Sequence, residues 1–330
     1  MKILITGCFG FIGYNFLNYL YETYSQEIKI LGIDSLEFPT SKLNSKMFSN
    51  KNFEFFNLDI NDINKTEIKG VDVVINFAAE SHVDNSISNP VSFIESNVNG
   101  VGNLLFWAMK NKIKKVIHIS TDEVYGSLKT GFPNEEFNFN PSSPYSATKA
   151  GAEYLCKSFS NTFDQNIITI RPSNNYGIYQ QPEKLIPYSI TSLLNGKNVE
   201  VYGNGSNIRH WLHVQDTCRA IFKIMEKSSN NETYNIGSGV YLDNLSVVKK
   251  LLNILQFDES RIDFVEDRLG HDFRYAVDFT KLQNLGWEPK KDFDLELENI
   301  VFWYKKNKQW WDSSYKEIIE NRKRRNKLID

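Results

Sequence analysis

Ile3-Leu4-Ile5-Thr6-Gly7-Cys8-Phe9-Gly10-Phe11-Ile12-Gly13 is the stretch that decides the fold. An apolar run of strand length ends in three glycines at G-x-x-G-x-x-G spacing, and a helical pattern follows. Glycines at such a junction let a pyrophosphate approach backbone N–H groups at a helix N-terminus. A glycine pattern alone is weak, because a tight strand-to-helix turn accounts for two of the three glycines. Its surroundings strengthen it. Short apolar runs recur at 28–33, Phe53–Asn57, 71–77 and 116–120, separated by segments long enough for crossover helices, as buried parallel strands would be. A sixth strand is predicted over 166–171.

These alternations predict an α/β chain: a Rossmann-like doubly wound parallel sheet with a smaller mixed α/β C-terminal substrate domain. The expected division is 1–172 for a dinucleotide-binding domain, joined by part of 210–237, and 173–330 for the substrate domain. After Arg171-Pro172 the character shifts to loops such as Tyr202-Gly-Asn-Gly-Ser206 and Gly237-Ser-Gly239. Asp34 closes the second strand about 20 residues beyond Gly13, where a carboxylate accepts from adenosine ribose hydroxyls and repels a 2′-phosphate. No arginine follows it closely, so NAD is favoured over NADP. Phe11 and Ile12 complete the loop. Asp59-Ile60 after the third strand is placed to meet adenine, with a simple strand cap as the alternative for Asp59. Ala78-Ala79 after the fourth lets a cofactor lie against backbone.

Composition narrows the class. With 330 residues, 41% hydrophobic and 14% aromatic, the chain can bury a large core. A formal net charge of -2 supplies no global basic field, which argues against a nucleic-acid partner. Cys8, Cys156 and Cys218 have neither C-x-x-C nor zinc-ligand spacing and read as reduced core residues. The five histidines are dispersed, so no metal site is expected. Met1-Lys2 runs straight into the first strand, and no apolar run approaches the roughly 18 residues of a membrane span. A cytoplasmic setting is expected. The basic run at 321–327 reads as a solvated helix end.

Reaction chemistry concentrates in Ser120-Thr121-Asp122-Glu123-Val124-Tyr125-Gly126 and Tyr145-Ser-Ala-Thr-Lys149. Tyr145 and Lys149, at i and i+4, share one face of a helix. Beside a cationic cofactor ring the ammonium favours phenolate, which takes a hydroxyl proton as hydride leaves carbon. Adjacent carboxylates push each other's pKa values apart, so Asp122 and Glu123 suit opposite acid and base duties. The plainer reading of that pair is a helix-start cap.

Together with Phe77-Ala-Ala-Glu-Ser-His-Val-Asp84, Arg171-Pro-Ser-Asn-Asn-Tyr-Gly177, Glu183-Lys-Leu-Ile-Pro187 and Asp267-Arg-Leu-Gly-His-Asp-Phe-Arg-Tyr275, these motifs resemble the nucleoside-diphosphate-glucose 4,6-dehydratases of the extended short-chain dehydrogenase/reductase family. The similarity runs from Met1 to about Trp287. It implies that Tyr145, with Lys149 and Thr121, opens the oxidation at C4, that Glu123 is the base at C5, and that Asp122 is the acid for the C6 hydroxyl. Sugar epimerases of this fold resemble Ser-Ser-Ala at 121–123, and glucuronate decarboxylases Thr-Ser-Glu.

The resemblance further implies NAD contacts from Ser81, Asn97 and Asn175. Substrate contacts are implied for Ser81, Asn174, Lys184, Leu185, Arg209, Asn244, Arg268, His271 and Tyr275, with the base stacked on Tyr202. Taken singly, each of these cations is equally readable as a surface salt bridge. Family members usually pair through two helices per subunit, which places a homodimer interface on 91–109 and 145–163. Their product commonly leads to rhamnose or amino-deoxy sugars. Where the bacterial dTDP-glucose pattern reads Arg-Asp-Trp-Leu-Tyr-Val, this chain has Arg209-His210-Trp-Leu-His213-Val214, and Ile178 replaces a usual proline. These departures leave UDP-glucose and dTDP-glucose nearly level, with a slight lean to UDP-glucose.

Overall fold

The computed structural model describes residues 1–24 and 28–326, with side chains through residue 320. Twelve strands are described: β1 (Lys2–Thr6), β2 (Lys29–Asp34), β3 (Phe53–Asn57), β4 (Val73–Asn76), β5 (Lys115–Ile119), β6 (Ile167–Pro172), β7 (Asn174–Tyr176), β8 (Val199–Tyr202), β9 (Ile208–His213), β10 (Thr233–Ile236), β11 (Tyr241–Asp243) and β12 (Ile262–Val265). Seven form one parallel sheet in the order β10-β6-β5-β4-β1-β2-β3. The expected doubly wound sheet is thus present, with strand ends shifted by a residue or two.

β1 shows why its sequence is apolar throughout. Ile3 and Ile5 pack on one face with Phe16, Leu17 and Ile221, whereas Leu4 packs on the other with Leu104 and Leu105. Helices cover both faces, so no side chain of the strand can be polar without cost. The strand order reverses between β1 and β4, which opens a crevice at their C-terminal ends. Gly7, Phe77 and Ser120 leave β1, β4 and β5 at that edge.

β10 arrives late, after the helix Val214–Lys227, and pairs in parallel with β6 from Thr233↔Thr169 to Ile236↔Pro172. The remaining strands make a three-stranded sheet, β11-β9-β7, and a parallel pair, β12-β8. Helices Leu185–Leu194, Asn244–Leu255 and Phe293–Lys306 close over them on a core that includes Trp211, Leu251, Tyr304 and Trp311. The last helix, Lys308–Asn326, returns to the helix Pro39–Met47, where Trp310 Nε1 donates to Asn44 Oδ1 at 2.8 Å. Asn44 Nδ2 in turn donates to Phe9 O of the glycine loop at 2.9 Å. The side chains of the basic run at 321–327 lie outside the described residues.

The apolar segment 91–109 is not one regular helix. Pro90–Ile94 and Gly100–Lys110 flank a π-turn, Glu95–Asn99. The widened turn aims Asn97 at other elements, as such turns often do near functional sites.

Candidate active site

Two clefts, of about 320 and about 290 Å³, open along the crevice and meet at Phe11, Ile12, Ser81, Ser120, Tyr145 and Lys184. The first lies over the glycine loop and is also lined by Gly7, Gly10, Gly13, Asp34, Asp59, Ile60, Ala78, Ala79 and Lys149. Gly7 has φ +65, and a Cβ there would stand 2.7 Å from Ala78 N. A Cβ on Gly13 would stand 2.2 Å from Gly7 O. Loop and helix therefore touch backbone to backbone, which leaves the loop's N–H groups open to a phosphate chain without intervening side chains.

Asp34 holds this cradle as well as facing it. Its Oδ2 accepts from Phe9 N and its Oδ1 from Leu36 N, each at 2.9 Å. Burial raises its pKa, and those two backbone donors oppose the rise. Asp59 borders the cleft and also caps the 3-10 helix Ile60–Lys65 by accepting from Asn61 N at 2.7 Å. Asn97 lies apart from the cleft lining: its amide is spent on Glu80 N (2.8 Å), Glu80 O (3.0 Å) and Thr148 Oγ1 (3.0 Å). It clamps the loop after β4 to the helix bearing Tyr145. Asn175 borders the second cleft, with Oδ1 accepting from Thr217 at 2.5 Å.

At the junction, Thr121 caps the 3-10 turn Asp122–Tyr125 by accepting from Glu123 N at 3.2 Å. The turn stops at Gly126, whose φ is +72 and where a Cβ would stand 1.9 Å from Asn140 O. Asp122 is buried, and its Oδ2 has no partner among the described residues. Burial first, then the Glu123 charge, pushes its pKa well above the carboxylate range. Glu123 is also raised by burial, but Lys184, Arg268 and Arg209 pull it back. The two carboxyls are therefore inequivalent: Asp122 keeps its proton more readily.

The helix Pro144–Phe163 starts with a reciprocal Ser143/Ser146 capping box, which fixes Tyr145 in its first turn and Lys149 one turn later. Lys149 Nζ donates to Ile119 O at 2.7 Å. Burial pulls the ammonium down to about 8, against the pull of Glu153. The Tyr145 phenol is pushed upward by burial and by Glu123, with Thr121 acting the other way. Its ionisation thus needs more positive charge than the protein itself provides.

The second cleft gathers all the predicted substrate contacts: Ser81, Thr121, Asn174, Lys184, Leu185, Tyr202, Arg209, Asn244, Arg268, His271 and Tyr275. Arg209 lies over the Tyr275 ring at 4.4 Å, and Lys184 Nζ donates to Ser81 O at 2.6 Å. Asp84, which was not singled out from sequence, holds Arg268 Nη1 at 3.2 Å and accepts from the Tyr202 hydroxyl at 3.1 Å. Tyr275 donates to Asp272 at 2.6 Å, with Glu123 Oε2 at 3.3 Å. Asn174 Oδ1 is buried without a hydrogen-bond partner among the described residues.

His271 lines the second cleft as a neutral donor rather than as a cation. Burial, then Arg268, holds the imidazole down to about 4. It is neutral near neutral pH, and its Nδ1 stands 2.6 Å from the Asp267 carboxylate, whose pKa is lowered in part by that hydrogen bond. Nδ1 therefore carries the proton. Glu80 is a second group not anticipated: it borders the cofactor cleft, and burial, then Glu183 and Glu37, lift it to about 7. The three departures from the dTDP-glucose pattern, His210, His213 and Ile178, lie off the lining of both clefts. His210 Nε2 accepts from Ser238 N and Gly239 N, each at 2.9 Å, and His213 Nδ1 caps the helix Val214–Lys227 through Gln215 N at 3.2 Å.

Among the described residues, no group of three His, Cys, Asp or Glu could hold a metal ion, and no helix is long and apolar enough to cross a membrane.

Comparison with known proteins agrees with this geometry. The family described as GDP-mannose 4,6 dehydratase matches residues 4–300. The low-salt glycan biosynthesis protein Agl12 of Haloferax volcanii is 43% identical over 307 residues, spanning 92% of this chain and 98% of that protein. A dTDP-glucose 4,6-dehydratase of an Actinoplanes species is 40% identical over 321 residues, spanning 94% and 100%. DesIV, the dTDP-glucose 4,6-dehydratase of Streptomyces venezuelae solved with NAD and dTDP bound, superposes with a TM-score of 0.92 at 38% identity over 95% of this chain and 100% of its own. Both clefts and nearly every element around them fall inside the matched span, and the chain belongs to the GDP-mannose 4,6 dehydratase family of extended short-chain dehydrogenases/reductases.

Proposed function

We propose that this chain is an NAD-dependent nucleoside-diphosphate-glucose 4,6-dehydratase, which makes the 4-keto-6-deoxy sugar nucleotide. The observation that carries the reading is the pair Asp122 and Glu123 set beside Tyr145 where the two clefts meet. An alcohol oxidation alone needs only Tyr145 and Lys149, whereas loss of water across C5 and C6 also needs a base and an acid. The glycine cradle, Asp34 and the donors of the Ala78-Ala79 loop fit NAD. When bound, NAD would supply a reversible hydride acceptor for oxidation at C4 and reduction at C6, and would not be consumed.

The protein's own residues handle the protons. Tyr145 Oη takes the proton of the C4 hydroxyl, oriented by Thr121. The C4 ketone acidifies C5–H, and the Glu123 carboxylate removes that proton. Asp122 gives its proton to the C6 hydroxyl, which leaves as water. Glu123 then returns a proton to C5. Arg209, Arg268 and Lys184 face the diphosphate, and Asn174 accepts from a sugar hydroxyl. Sugar epimerases and glucuronate decarboxylases of the same fold lack the acid at the place of Asp122.

dTDP-glucose is the substrate best supported, because relatives bear that name and because His210, His213 and Ile178, the departures that left the two bases nearly level, do not line the cleft. One methyl separates the bases, worth about 1–3 kcal/mol, so UDP-glucose should react more slowly. Residues 1–172 with part of 210–237 make the cofactor half, which the return of β10 to the main sheet supports. Exposed Val91, Ile94, Phe106 and Tyr154 on the helices around 91–109 and 145–163 support a homodimer. A single-subunit mass by light scattering at micromolar concentration would remove that assignment. Three buried cysteine thiols support a reducing, cytoplasmic setting.

The test is to incubate purified protein, with no added NAD, separately with dTDP-glucose and UDP-glucose. Mass spectrometry should show the loss of one water, faster for dTDP-glucose. No loss from either substrate, with NAD present in the protein, would move the assignment to an epimerase or decarboxylase.

A further inference from the structure

Arg171, near the end of β6, is buried, and its guanidinium joins elements that the reaction needs in register. Nε donates to both carboxylate oxygens of Glu153 at 3.0 Å, and Nη2 donates to Oε2 at 2.7 Å. Nη1 donates to the Tyr125 hydroxyl at 2.5 Å and to Glu135 O at 2.9 Å. Glu153 continues the helix stripe of Tyr145 and Lys149, one turn beyond the lysine. Tyr125 ends the 3-10 turn that begins with Asp122 and Glu123, and its hydroxyl donates to Asn235 Oδ1 of β10 at 2.8 Å. One side chain therefore ties the Tyr145/Lys149 helix, the acid–base turn and the sheet edge together.

A buried ion pair is a poor means of stabilising a fold, since well-packed apolar residues of similar volume do as well or better. Its benefit lies in geometry and charge. The side chains acting on Lys149 are Glu153 and Cys156 from its own helix and His118 from β5, with the Ile119 carbonyl as hydrogen-bond acceptor. Burial holds His118 neutral and keeps the Cys156 thiol protonated, while Asp122 and Glu123 act on Tyr145. Glu153 is thus the counter-charge of Lys149, and Arg171 and Tyr125 face Glu153 from the other side.

We propose that Arg171 and Glu153 are positioning residues of the reaction: the guanidinium holds the Tyr145/Lys149 stripe in register with Asp122 and Glu123, and the Glu153 carboxylate keeps buried Lys149 an ammonium. The proposal rests on the dehydratase reading above. Glu153→Gln keeps the shape and an acceptor but removes the charge, so Lys149 loses its proton at lower pH than in the wild type. The alkaline limb of the kcat profile should move to lower pH. At a pH above the new limb, kcat should fall about tenfold or more, while KM stays within about twofold. Glu153→Asp restores the charge on a shorter arm. Its limb should stay at the wild-type position, with kcat lowered about tenfold at every pH by the loosened geometry.

Folding of each variant is checked by near-ultraviolet circular dichroism. A folded Glu153→Gln enzyme with the wild-type limb overturns the proposal. So does a Glu153→Asp enzyme with undiminished kcat, which remains readable even where the glutamine variant fails to fold. Wild-type protein assayed in parallel separates the two readings: its inactivity on sugar nucleotides would count against the dehydratase assignment, whereas normal wild-type activity with unshifted variants would count against this inference alone.

Discussion

Asp122→Asn separates acid from base in a site where the two are neighbours. The residue lines the second cleft but is only 3% exposed, and its Oδ2 is buried with no partner among the described residues. A positioned general acid contributes about 10²–10⁴ in rate. Because water cannot easily take the place of a buried acid, the loss should fall in the upper half of that range, about 4–5 kcal/mol of barrier. Folding should change by no more than about 1 kcal/mol, since a protonated carboxyl and an amide have nearly the same shape and each buries an unpartnered polar atom. The assay quenches single turnovers in deuterated water and follows the sugar nucleotide by mass. Oxidation at C4 and exchange at C5 should persist, because Tyr145 and Glu123 are intact, while the loss of water slows by about a thousandfold or more. A variant that expels water within about threefold of the wild-type rate would refute Asp122 as the acid, and one that neither oxidises nor exchanges would show that the residue serves the first step instead.

Tyr145→Phe should fold normally and bind substrate, yet show neither C5 exchange nor water loss; exchange at the wild-type rate would place the C4 proton acceptor elsewhere. Gly13→Ala drives a Cβ to within 2.2 Å of Gly7 O, a backbone atom that cannot swing aside. A loss of about 1–3 kcal/mol in urea unfolding and of co-purified NAD is expected, and an unchanged midpoint with full NAD content would contradict the close packing of the loop. Asp34→Asn places an amide NH₂ against one of two backbone N–H donors, so unfolding should cost about 1–3 kcal/mol less and NAD should be lost on gel filtration; retention of both would mean that the carboxylate is idle.

Much of this molecule is legible locally. The glycine loop, the wholly apolar strands and the i, i+4 spacing of Tyr145 and Lys149 are short-range patterns, and backbone sterics and helix periodicity suffice to interpret them. Asp122 and Glu123 are legible for the same reason: they are adjacent, and adjacent carboxyls must differ. What sequence alone left obscure is of another kind. Part of 210–237 is expected to join the first domain, but nothing in Thr233–Ile236 names β6, a strand more than sixty residues earlier, as the partner of β10. Asp84 reaches Arg268 across 184 positions, and the His271 imidazole is held below its ordinary pKa by burial first and by that arginine second. Asn97 accepts from Glu80 N and donates to Glu80 O and Thr148 Oγ1 once the helices close, contacts that no local pattern announces. The sequence by itself determined the sheet, the loop and the residue types that do the chemistry, because these follow from local conformation. Only the tertiary structure decided which groups are charged and which meet, because desolvation and long-range contact are properties of the packed chain.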